Sequence, residues 1–313
     1  MLLVKIGFVY AGQGSQVVGM GKSFYDNYIE AKEVFDAINL DINVKKLCFE
    51  GPIEELSKTS NTQPCMVATA ICATKLLKQN GVSPNYVCGL SLGEYSALQC
   101  AGVFDEQTAI GLVRFRGLAM ENAVRGLSSK MVAILGLDRV QVQEVVDASK
   151  VESVVQIANY NCPGQIVIGG EANAVDRATI IAKEKGARRV VELNTSGPFH
   201  TSLLQPAAKA LHEKCKEITF HKMEMPVIFN TTARELEQTA TIAQMLERQV
   251  MSAVHFEDSI RYMVKQGVDT IIEIGPGKVL SGFVKKITKD VDLYQVEDKE
   301  SLELTIERII KKQ

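Results

Sequence analysis

The sequence predicts an α/β protein in which one large domain with a parallel sheet carries a smaller, inserted subdomain. Short apolar runs of strand length alternate with longer amphipathic segments, which is the pattern of strands and helices in α/β folds. The chain has 313 residues, 46% of them hydrophobic and 23% charged, which is enough apolar material for one large core. Residues 131–194 have a self-contained order of elements, and both ends lead back into the surrounding chain.

The first elements alternate between strands and helices. In chain order we predict a strand over 4–10, a turn over 11–16, helical spacing over 22–40, a helix over 64–79, a strand over 86–89 and a helix over 92–101. Pro64 suits a first helical turn, and Asn80 with Gly81 is a typical helix end.

The middle of the chain predicts strand, helix, strand, strand, helix and strand. These elements lie over 131–136, 140–149, 154–161, 165–170, 171–186 and 188–194. This order is the ferredoxin-like (βαββαβ) plan. We therefore expect a small subdomain over 127–196, inserted into a large domain formed by 1–126 and 197–313.

After the insertion the alternation resumes. The predicted elements are a helix over 201–216, strands over 227–230 and 270–274, a turn over 275–277 and a final pair of helices.

Charge and cysteine usage exclude several classes of protein. A net charge of -2 argues against a nucleic-acid binder, which needs a basic surface to neutralise phosphates. The seven cysteines form no C-x-x-C pair that could serve a redox or metal site, and they are typical of reduced, buried thiols. No stretch reaches membrane-spanning length, and Lys5 interrupts the short apolar start. We expect a cytoplasmic protein without a metal ion or a membrane partner.

Ser91 lies in a G-x-S-x-G pattern, with Gly89 before it and Gly93 after it. A predicted strand precedes this pattern and a predicted helix follows it, as in a nucleophile turn of the α/β-hydrolase type. The backbone N–H of Leu92 would then face an oxyanion at the helix start. A glycine-rich turn can also hold a serine by chance, so the pattern alone leaves both interpretations open.

A serine nucleophile needs a base, and the chain has four histidines. His212 falls in the middle of a predicted helix, and His221 at a strand edge or in a loop. His200 follows the last strand of the predicted subdomain, and His255 precedes a helix. Loops at strand ends often hold catalytic groups in α/β proteins, which favours His200 and leaves His255 as the second candidate.

Two glycine-rich turns do not predict nucleotide sites. The segment from Gly12 lacks the third glycine of a dinucleotide loop, since Val17 occupies that position, and no phosphate-loop pattern occurs in the chain. The segment from Gly275 to Lys278 is interpreted as a strand-to-helix turn.

Several motifs in fixed order resemble those of the malonyl-CoA:acyl carrier protein transacylases. They are Gly12-Gln-Gly-Ser-Gln16, Gly51-Pro-Ile-Glu-Glu-Leu56, Thr62-Gln-Pro64, Gly89-Leu-Ser-Leu-Gly-Glu-Tyr-Ser-Ala-Leu98, Arg116-Gly117, Asn161-Cys-Pro-Gly-Gln165, Gly197-Pro-Phe-His200 and Glu273-Ile-Gly-Pro-Gly-Lys-Val-Leu280. The resemblance spans almost the whole chain. It implies an α/β-hydrolase-like large domain with an inserted ferredoxin-like unit.

The resemblance also implies roles for single residues. Ser91 matches the family's acyl-accepting nucleophile, and His200 matches its base. In place of a carboxylate, the main-chain carbonyl of Gln249 would orient the histidine. Gln13 would line the oxyanion hole together with the Leu92 N–H.

Arg116 matches the arginine that binds the free carboxylate of the malonyl group. A guanidinium offers two parallel donors to a carboxylate, which an acetyl group lacks. Arg114 is a competitor, but residues two apart on a helix point about 200° apart, so both cannot face one pocket. The residue pattern alone does not choose between them, and the resemblance selects Arg116.

Two positions depart from the family pattern. Leu90 stands where the family commonly has histidine, and the stretch from Met251 to Val254 stands where it often has Asn-Pro-Val. The first departure bears on the packing of the serine loop, and the second on the assignment of Gln249.

The implied function is malonyl transfer from malonyl-CoA to the phosphopantetheine thiol of acyl carrier protein, through a malonyl-serine intermediate, for fatty acid synthesis. No cofactor is expected, and we expect a monomer. The alternatives are a serine thioesterase or acyl hydrolase, a trans-acting acyltransferase of a polyketide pathway, and a non-catalytic scaffold relative.

Overall fold

Two β-sheets organise the chain, and the computed structural model describes residues 4–312 of it. The strands are β1 (Ile6–Tyr10), β2 (Tyr86–Gly89), β3 (Ser129–Leu135), β4 (Val155–Cys162), β5 (Gln165–Glu171), β6 (Arg189–Glu192), β7 (Val227–Ile228), β8 (Thr270–Ile274) and β9 (Asp292–Val296). The mixed α/β class predicted from the sequence is confirmed.

Helices pack against both sheets. They are α1 (Lys22–Asn27), α2 (Ile29–Asp36), α3 (Val44–Glu50), α4 (Ile53–Leu56), α5 (Thr59–Gln79), α6 (Gly93–Cys100), α7 (Glu106–Ala123), α8 (Arg139–Ser149), α9 (Ala172–Glu184), α10 (Gln205–Cys215), α11 (Ile242–Gln249), α12 (Phe256–Lys265), α13 (Val279–Ile287) and α14 (Lys299–Ile310).

The first sheet is parallel throughout, with strand order β7-β2-β1-β8-β9. Strands β1 and β8 are buried at every position, as expected for central strands covered on both faces. In the register, Tyr10 pairs with Gly89, and Cys88 pairs with Ile228. The carboxyl ends of β1, β2 and β7 therefore meet at one edge, where open α/β sheets place their sites.

The second sheet is antiparallel, with strand order β4-β5-β3-β6. Helices α8 and α9 pack against it around a separate apolar cluster that includes Ile134, Val145 and Ile168. Strand β4 also contacts the large sheet's side of the molecule: Tyr160 donates its N–H to the Val254 carbonyl, and Val254 donates to the Ala158 carbonyl. These two hydrogen bonds join the antiparallel sheet to the segment that precedes α12.

Helix α5 begins five residues earlier than predicted, at Thr59, so that Pro64 lies inside it. Proline has no N–H, and the Ser60 carbonyl four residues earlier loses its helical donor. Arg114 Nη1 donates to this carbonyl at 2.9 Å. A contact distant in sequence therefore replaces the missing hydrogen bond and lets the helix start early.

Other predicted boundaries shift where the chain bends. The helical region predicted over 22–40 is broken at Tyr28, whose backbone is extended, into α1 and α2. The helix predicted over 201–216 opens with a 3-10 turn, Ser202–Leu204, before α10. The strand predicted over 227–230 is shorter, since β7 ends at Ile228. The predicted final helix pair is separated by an unpredicted strand, β9.

Two further sequence predictions concern the chemistry of the chain as a whole. All seven cysteines are buried and unpaired. No helix within residues 4–312 is long and apolar enough to cross a membrane. Residues 1–3, where the predicted apolar start begins, lie outside the described part of the chain.

Candidate active site

Ser91 lies in a tight turn between β2 and α6, in the left-handed region of backbone conformation with φ of 53°. Only glycine fits at the two flanking positions of the motif, Gly89 and Gly93, because a side chain there would clash with backbone atoms. A Cβ at Gly89 would lie 2.0 Å from the Gly93 carbonyl carbon, and one at Gly93 would lie 2.2 Å from the Tyr10 carbonyl oxygen. The turn packs directly against backbone, so side chains are excluded on both sides of the serine. A strained residue between two such contacts is characteristic of functional turns.

His200 is the histidine that the structure brings to Ser91. Its Nε2 lies 2.7 Å from Ser91 Oγ, and its Nδ1 lies 2.9 Å from the main-chain carbonyl oxygen of Gln249. A carbonyl can only accept, so Nδ1 carries the proton and Nε2 presents a lone pair to the serine hydroxyl. Burial, assisted by the positive charge of Arg116, lowers the pKa of His200 to about 4. The imidazole is therefore neutral near pH 7 and able to accept a proton.

The other three histidines lie in different surroundings. His255 Nδ1 is 3.3 Å from Asp258 Oδ2, and its ring stacks on Tyr160. His212 is exposed and pairs with Glu247 on α11. His221 is exposed, and its backbone N–H is bonded to the Val103 carbonyl. His255, the second candidate from the sequence, thus pairs with a carboxylate and does not contact the serine.

Arg116 projects from α7 to the serine and is 1% exposed. Its Nη2 donates to Ser91 Oγ at 3.3 Å and to Gln249 Oε1 at 3.0 Å, and its Nη1 donates to Gln63 Oε1 at 3.0 Å. Its Nε has no acceptor among residues 4–312. Amide oxygens thus hold the guanidinium, and within the described chain no carboxylate forms an ion pair with it. This is a buried cation with room for an anion.

Arg114 points away from the site, as the helical spacing requires. Its Nε and Nη2 bind the two carboxylate oxygens of Asp41 at 2.9 and 2.6 Å. Its Nη1 binds the start of α5. Only Arg116 of the two arginines faces Ser91.

Gln13 and Leu92 line the same cavity as the serine. The loop after β1 carries Gln13 and touches the serine turn, since a Cβ at Gly12 would lie 2.5 Å from the Leu90 carbonyl oxygen. The Gln13 amide nitrogen donates to Thr59 Oγ1 at 2.9 Å. The N–H of Leu92, at the start of α6, has no acceptor within the described chain. It is available to an oxygen bound at the serine.

These side chains open into one cavity of about 700 Å³ between the two sheets. The predicted residues on its wall are Gln13, Ser91, Leu92, Arg116 and His200. Gln249 lies behind them, fully buried, and contacts both His200 and Arg116. The half-buried side chain of Leu90 also lines the cavity. The six residues named from the sequence therefore meet at one place.

Four features of the site have no counterpart in the residue-by-residue prediction. The side chain of Gln249, and not only its carbonyl, is engaged, because Nε2 donates to the Ser91 carbonyl at 2.6 Å. Gln63 holds Arg116, Asn230 accepts from the Ser91 N–H at 2.7 Å, and Glu94 lies fully buried beneath the turn. Gln63 and Glu94 fall inside motifs that the sequence displays. Asn230 has no such signal apart from its position just after a strand.

Glu94 is a buried carboxyl without an ion-pair contact in the described chain. Its Oε2 accepts from the Asn230 N–H at 2.5 Å, and its Oε1 has no partner among the described residues. Burial raises the pKa of Glu94 to about 8. No group of three or more His, Cys, Asp or Glu side chains in residues 4–312 is arranged to hold a metal ion.

The chain is similar to known proteins over nearly its full length. The family described as the acyl transferase domain matches residues 7–305. A malonyl CoA-acyl carrier protein transacylase of Bacillus subtilis (strain 168) is 44% identical over 308 residues, which are 97% of this chain and 97% of the relative. One of Escherichia coli (strain K12) is 38% identical, covering 91% of this chain and 93% of the relative.

Solved structures show the same similarity. The malonyl CoA-acyl carrier protein transacylase from Clostridium perfringens ATCC 13124 has a TM-score of 0.95 at 43% identity, covering 99% of this chain and 98% of that one. A malonyl-transacylase in complex with its holo type II PKS acyl-carrier protein has a TM-score of 0.94 at 35% identity, covering 97% of this chain and 99% of that one. The chain therefore belongs to the acyl transferase domain family, alongside its malonyl CoA-acyl carrier protein transacylases.

Proposed function

We propose that this protein transfers a malonyl group from malonyl-CoA to the phosphopantetheine thiol of acyl carrier protein, supplying fatty acid synthesis. The observation that carries the proposal is the arrangement of three side chains. Nη2 of the buried Arg116 lies 3.3 Å from Ser91 Oγ, and Nε2 of the neutral His200 lies 2.7 Å from the same oxygen. That arrangement couples a nucleophile to a site for a carboxylate. The names of the relatives, malonyl CoA-acyl carrier protein transacylases, give the same two substrates.

In the first half-reaction, Ser91 attacks the thioester. His200 Nε2 takes the proton of Ser91 Oγ as Oγ bonds to the thioester carbonyl carbon. The Leu92 N–H and Gln13 line the oxyanion hole and stabilise the oxyanion of the tetrahedral intermediate. The carbon–sulfur bond then breaks, the CoA sulfur receives the proton from Nε2, and a malonyl ester remains on Ser91.

The second half-reaction reverses these roles with a different thiol. The phosphopantetheine thiol of acyl carrier protein gives its proton to His200 Nε2 and attacks the ester carbonyl. The bond to Ser91 Oγ breaks, and Oγ takes the proton back from Nε2. The Gln249 carbonyl stays bonded to Nδ1–H through both steps and fixes the tautomer. This chemistry requires no metal ion or bound cofactor.

Arg116 supplies selectivity for malonyl over acetyl groups. In the structure it binds only neutral oxygen atoms, and the free carboxylate of a malonyl group would provide the missing counter-charge. An acetyl group would leave the buried cation uncompensated.

Several finer features form part of this proposal. The large domain, residues 1–126 and 197–313, is α/β-hydrolase-like, which the strand–serine–helix turn supports. Residues 127–196 form a ferredoxin-like subdomain, which the order β3-α8-β4-β5-α9-β6 supports. A cytoplasmic location and a monomeric state remain predictions.

The test is the intact mass of the protein after incubation with malonyl-CoA. We expect a malonyl adduct that disappears when holo acyl carrier protein is added, with malonyl-carrier as the product. Ser91→Ala should form no adduct, whereas Ser202→Ala, an exposed serine near His200, should form it as the wild type does. Loss of the adduct in water at the rate seen with carrier protein would instead identify an acyl hydrolase. Transfer to a polyketide carrier but not a fatty acid carrier would reassign the pathway.

A further inference from the structure

Asn230 lies at the carboxyl edge of the parallel sheet, next to the serine turn. Cys88 of β2 pairs with Ile228 of β7, so Asn230, two residues further on, is level with Leu90, the residue before the nucleophile. Asn230 is 1% exposed. We propose that Asn230 is a positioning residue, whose side-chain amide fixes the serine turn so that Ser91 Oγ reaches His200. This inference rests on the proposed function.

The Asn230 amide joins two points of the turn. Its Oδ1 accepts the N–H of Ser91 at 2.7 Å, and its Nδ2 donates to the carbonyl of Gly89 at 2.7 Å. One planar group therefore holds the last residue of β2 and the nucleophile in a fixed relation. The bond to Gly89 is buried and the bond to Ser91 is partly buried, so displacement of Ser91 would leave polar groups unpaired.

A second side chain completes the hold on Ser91. Gln249 Nε2 donates to the Ser91 carbonyl at 2.6 Å and lies 3.5 Å from Asn230 Oδ1. The N–H and the C=O of the nucleophile are thus both bonded to amide side chains from outside its own turn. This explains how a serine keeps a left-handed conformation that L-residues rarely adopt.

The backbone N–H and the backbone carbonyl of Asn230 are both hydrogen-bonded. Its N–H donates to Glu94 Oε2 at 2.5 Å, and its carbonyl accepts the N–H of His255 at 2.9 Å. Glu94 belongs to α6, directly after the turn. The amide therefore cannot follow the turn if the turn moves, because its own backbone is anchored to α6 and to the start of α12.

Asn230 acts through the turn and not on the reacting atoms. Within residues 4–312 its side chain bonds to backbone groups and to Gln249, and not to Ser91 Oγ or to His200. Its loss should therefore slow the attack of Ser91 without weakening the binding of malonyl-CoA. A misplacement of about 1 Å in a reacting group can cost about 100-fold in rate.

The first experiment measures the rate constant of Ser91 acylation by malonyl-CoA, by rapid quenching and intact mass. Asn230→Ala should lower this rate constant about 100-fold while changing the malonyl-CoA concentration for half-saturation less than about threefold. Thr231→Ala is the matched control, because it removes a buried hydroxyl without a partner in the described chain from the next residue. It should acylate at the wild-type rate. Thermal melting of both variants reports their folded fraction at the assay temperature.

The second experiment substitutes Asn230→Asp and follows the same rate constant from pH 6 to pH 9. A protonated carboxyl has one acceptor and one O–H donor, so it can replace the amide, whereas an ionised one cannot donate to the Gly89 carbonyl. The groups facing this position are Glu94 on α6, His255 before α12 and, through Gln249, Arg116 on α7. We expect a rate within about tenfold of the wild type at pH 6 and a progressive loss at higher pH that the wild type lacks.

Specific outcomes overturn the inference. A folded Asn230→Ala variant that acylates within threefold of the wild-type rate contradicts it. So does an Asn230→Ala variant in which only the malonyl-CoA concentration for half-saturation changes and the acylation rate constant does not. An Asn230→Asp variant as slow as Asn230→Ala at pH 6, or with the wild-type pH profile, also contradicts it. If the wild type forms no malonyl adduct, the proposed function fails instead, so the two failures are separate.

Discussion

Arg116→Ala should separate malonyl transfer from acetyl transfer. The guanidinium is 1% exposed, points Nη2 at Ser91 Oγ and binds only neutral oxygens within residues 4–312. A malonyl carboxylate would accept two charge-assisted hydrogen bonds, each worth about 1.5–3 kcal/mol, and their loss would cost about 3–6 kcal/mol in total. At about 1.4 kcal/mol per factor of ten, this corresponds to a loss of about 10²- to 10⁴-fold in malonyl kcat/KM.

The assay compares malonyl-CoA with acetyl-CoA as donors to holo acyl carrier protein. Acetyl transfer should change less than about tenfold, since an acetyl group has no carboxylate to bind. Arg114→Ala is the control on the same helix. It removes the pairing with Asp41 and should lower stability while leaving the ratio of malonyl to acetyl kcat/KM unchanged. Equal losses of both donors in Arg116→Ala would refute the reasoning and make this arginine a purely structural residue.

Three further predictions follow from the buried groups and the glycine turn. Because the pKa of His200 is lowered to about 4, the acylation rate constant should stay level from pH 8 to about 5 and fall below that, as rapid quenching can measure. Arg116→Ala removes a positive charge that lowers this pKa, so the fall should move to higher pH. An unshifted profile would contradict the effect of the Arg116 charge on His200. Burial raises the pKa of Glu94 to about 8, so the folded chain retains a proton that the unfolded chain releases, and the free energy of unfolding drops as pH rises from about 5 to 8. Glu94→Gln should remove that drop, which is worth about 3 kcal/mol at pH 7 at 1.36 kcal/mol per pKa unit. Urea titrations measure the free energy of unfolding of both proteins, and an identical pH dependence would show that Glu94 does not cause the drop. Gly93→Ala should destabilise the fold by about 3 kcal/mol or more, because the added Cβ would clash with the backbone of β1. Gly111→Ala is the control and should be neutral or stabilising, because the space around Gly111 is open. Equal melting temperatures for the two variants would argue against the clash.

Much of the fold follows from local patterns in the chain. The strand Tyr86–Gly89, the turn at Ser91 and the helix after it could be predicted, because glycine spacing and apolar periodicity act over a few neighbouring residues. The order of elements within residues 127–196 could be predicted for the same reason. Strand β9 could not, since its half-buried residues pair with β8 and lack a distinctive apolar pattern of their own.

The residues of the candidate site could also be predicted only in part. The residue pattern singled out Ser91, favoured His200 over His255, and showed that Arg114 and Arg116 must face opposite ways. Family resemblance, and not periodicity, then selected Arg116. The side-chain contacts of Gln249 and the position of Asn230 had no local signal.

The sequence by itself determined most of the strands, many of the helices and the tight turn that holds Ser91, because these depend on near neighbours. The tertiary structure alone decided which groups surround that serine. His200, Asn230 and Gln249 lie 109, 139 and 158 residues from it along the chain, yet each is bonded to it. The aligned carboxyl ends of parallel strands β2 and β7 place Asn230 at the serine, whereas His200 comes from the loop after β6 and Gln249 from the end of α11. Such contacts depend on how distant segments pack, and no local pattern of neighbouring residues encodes them.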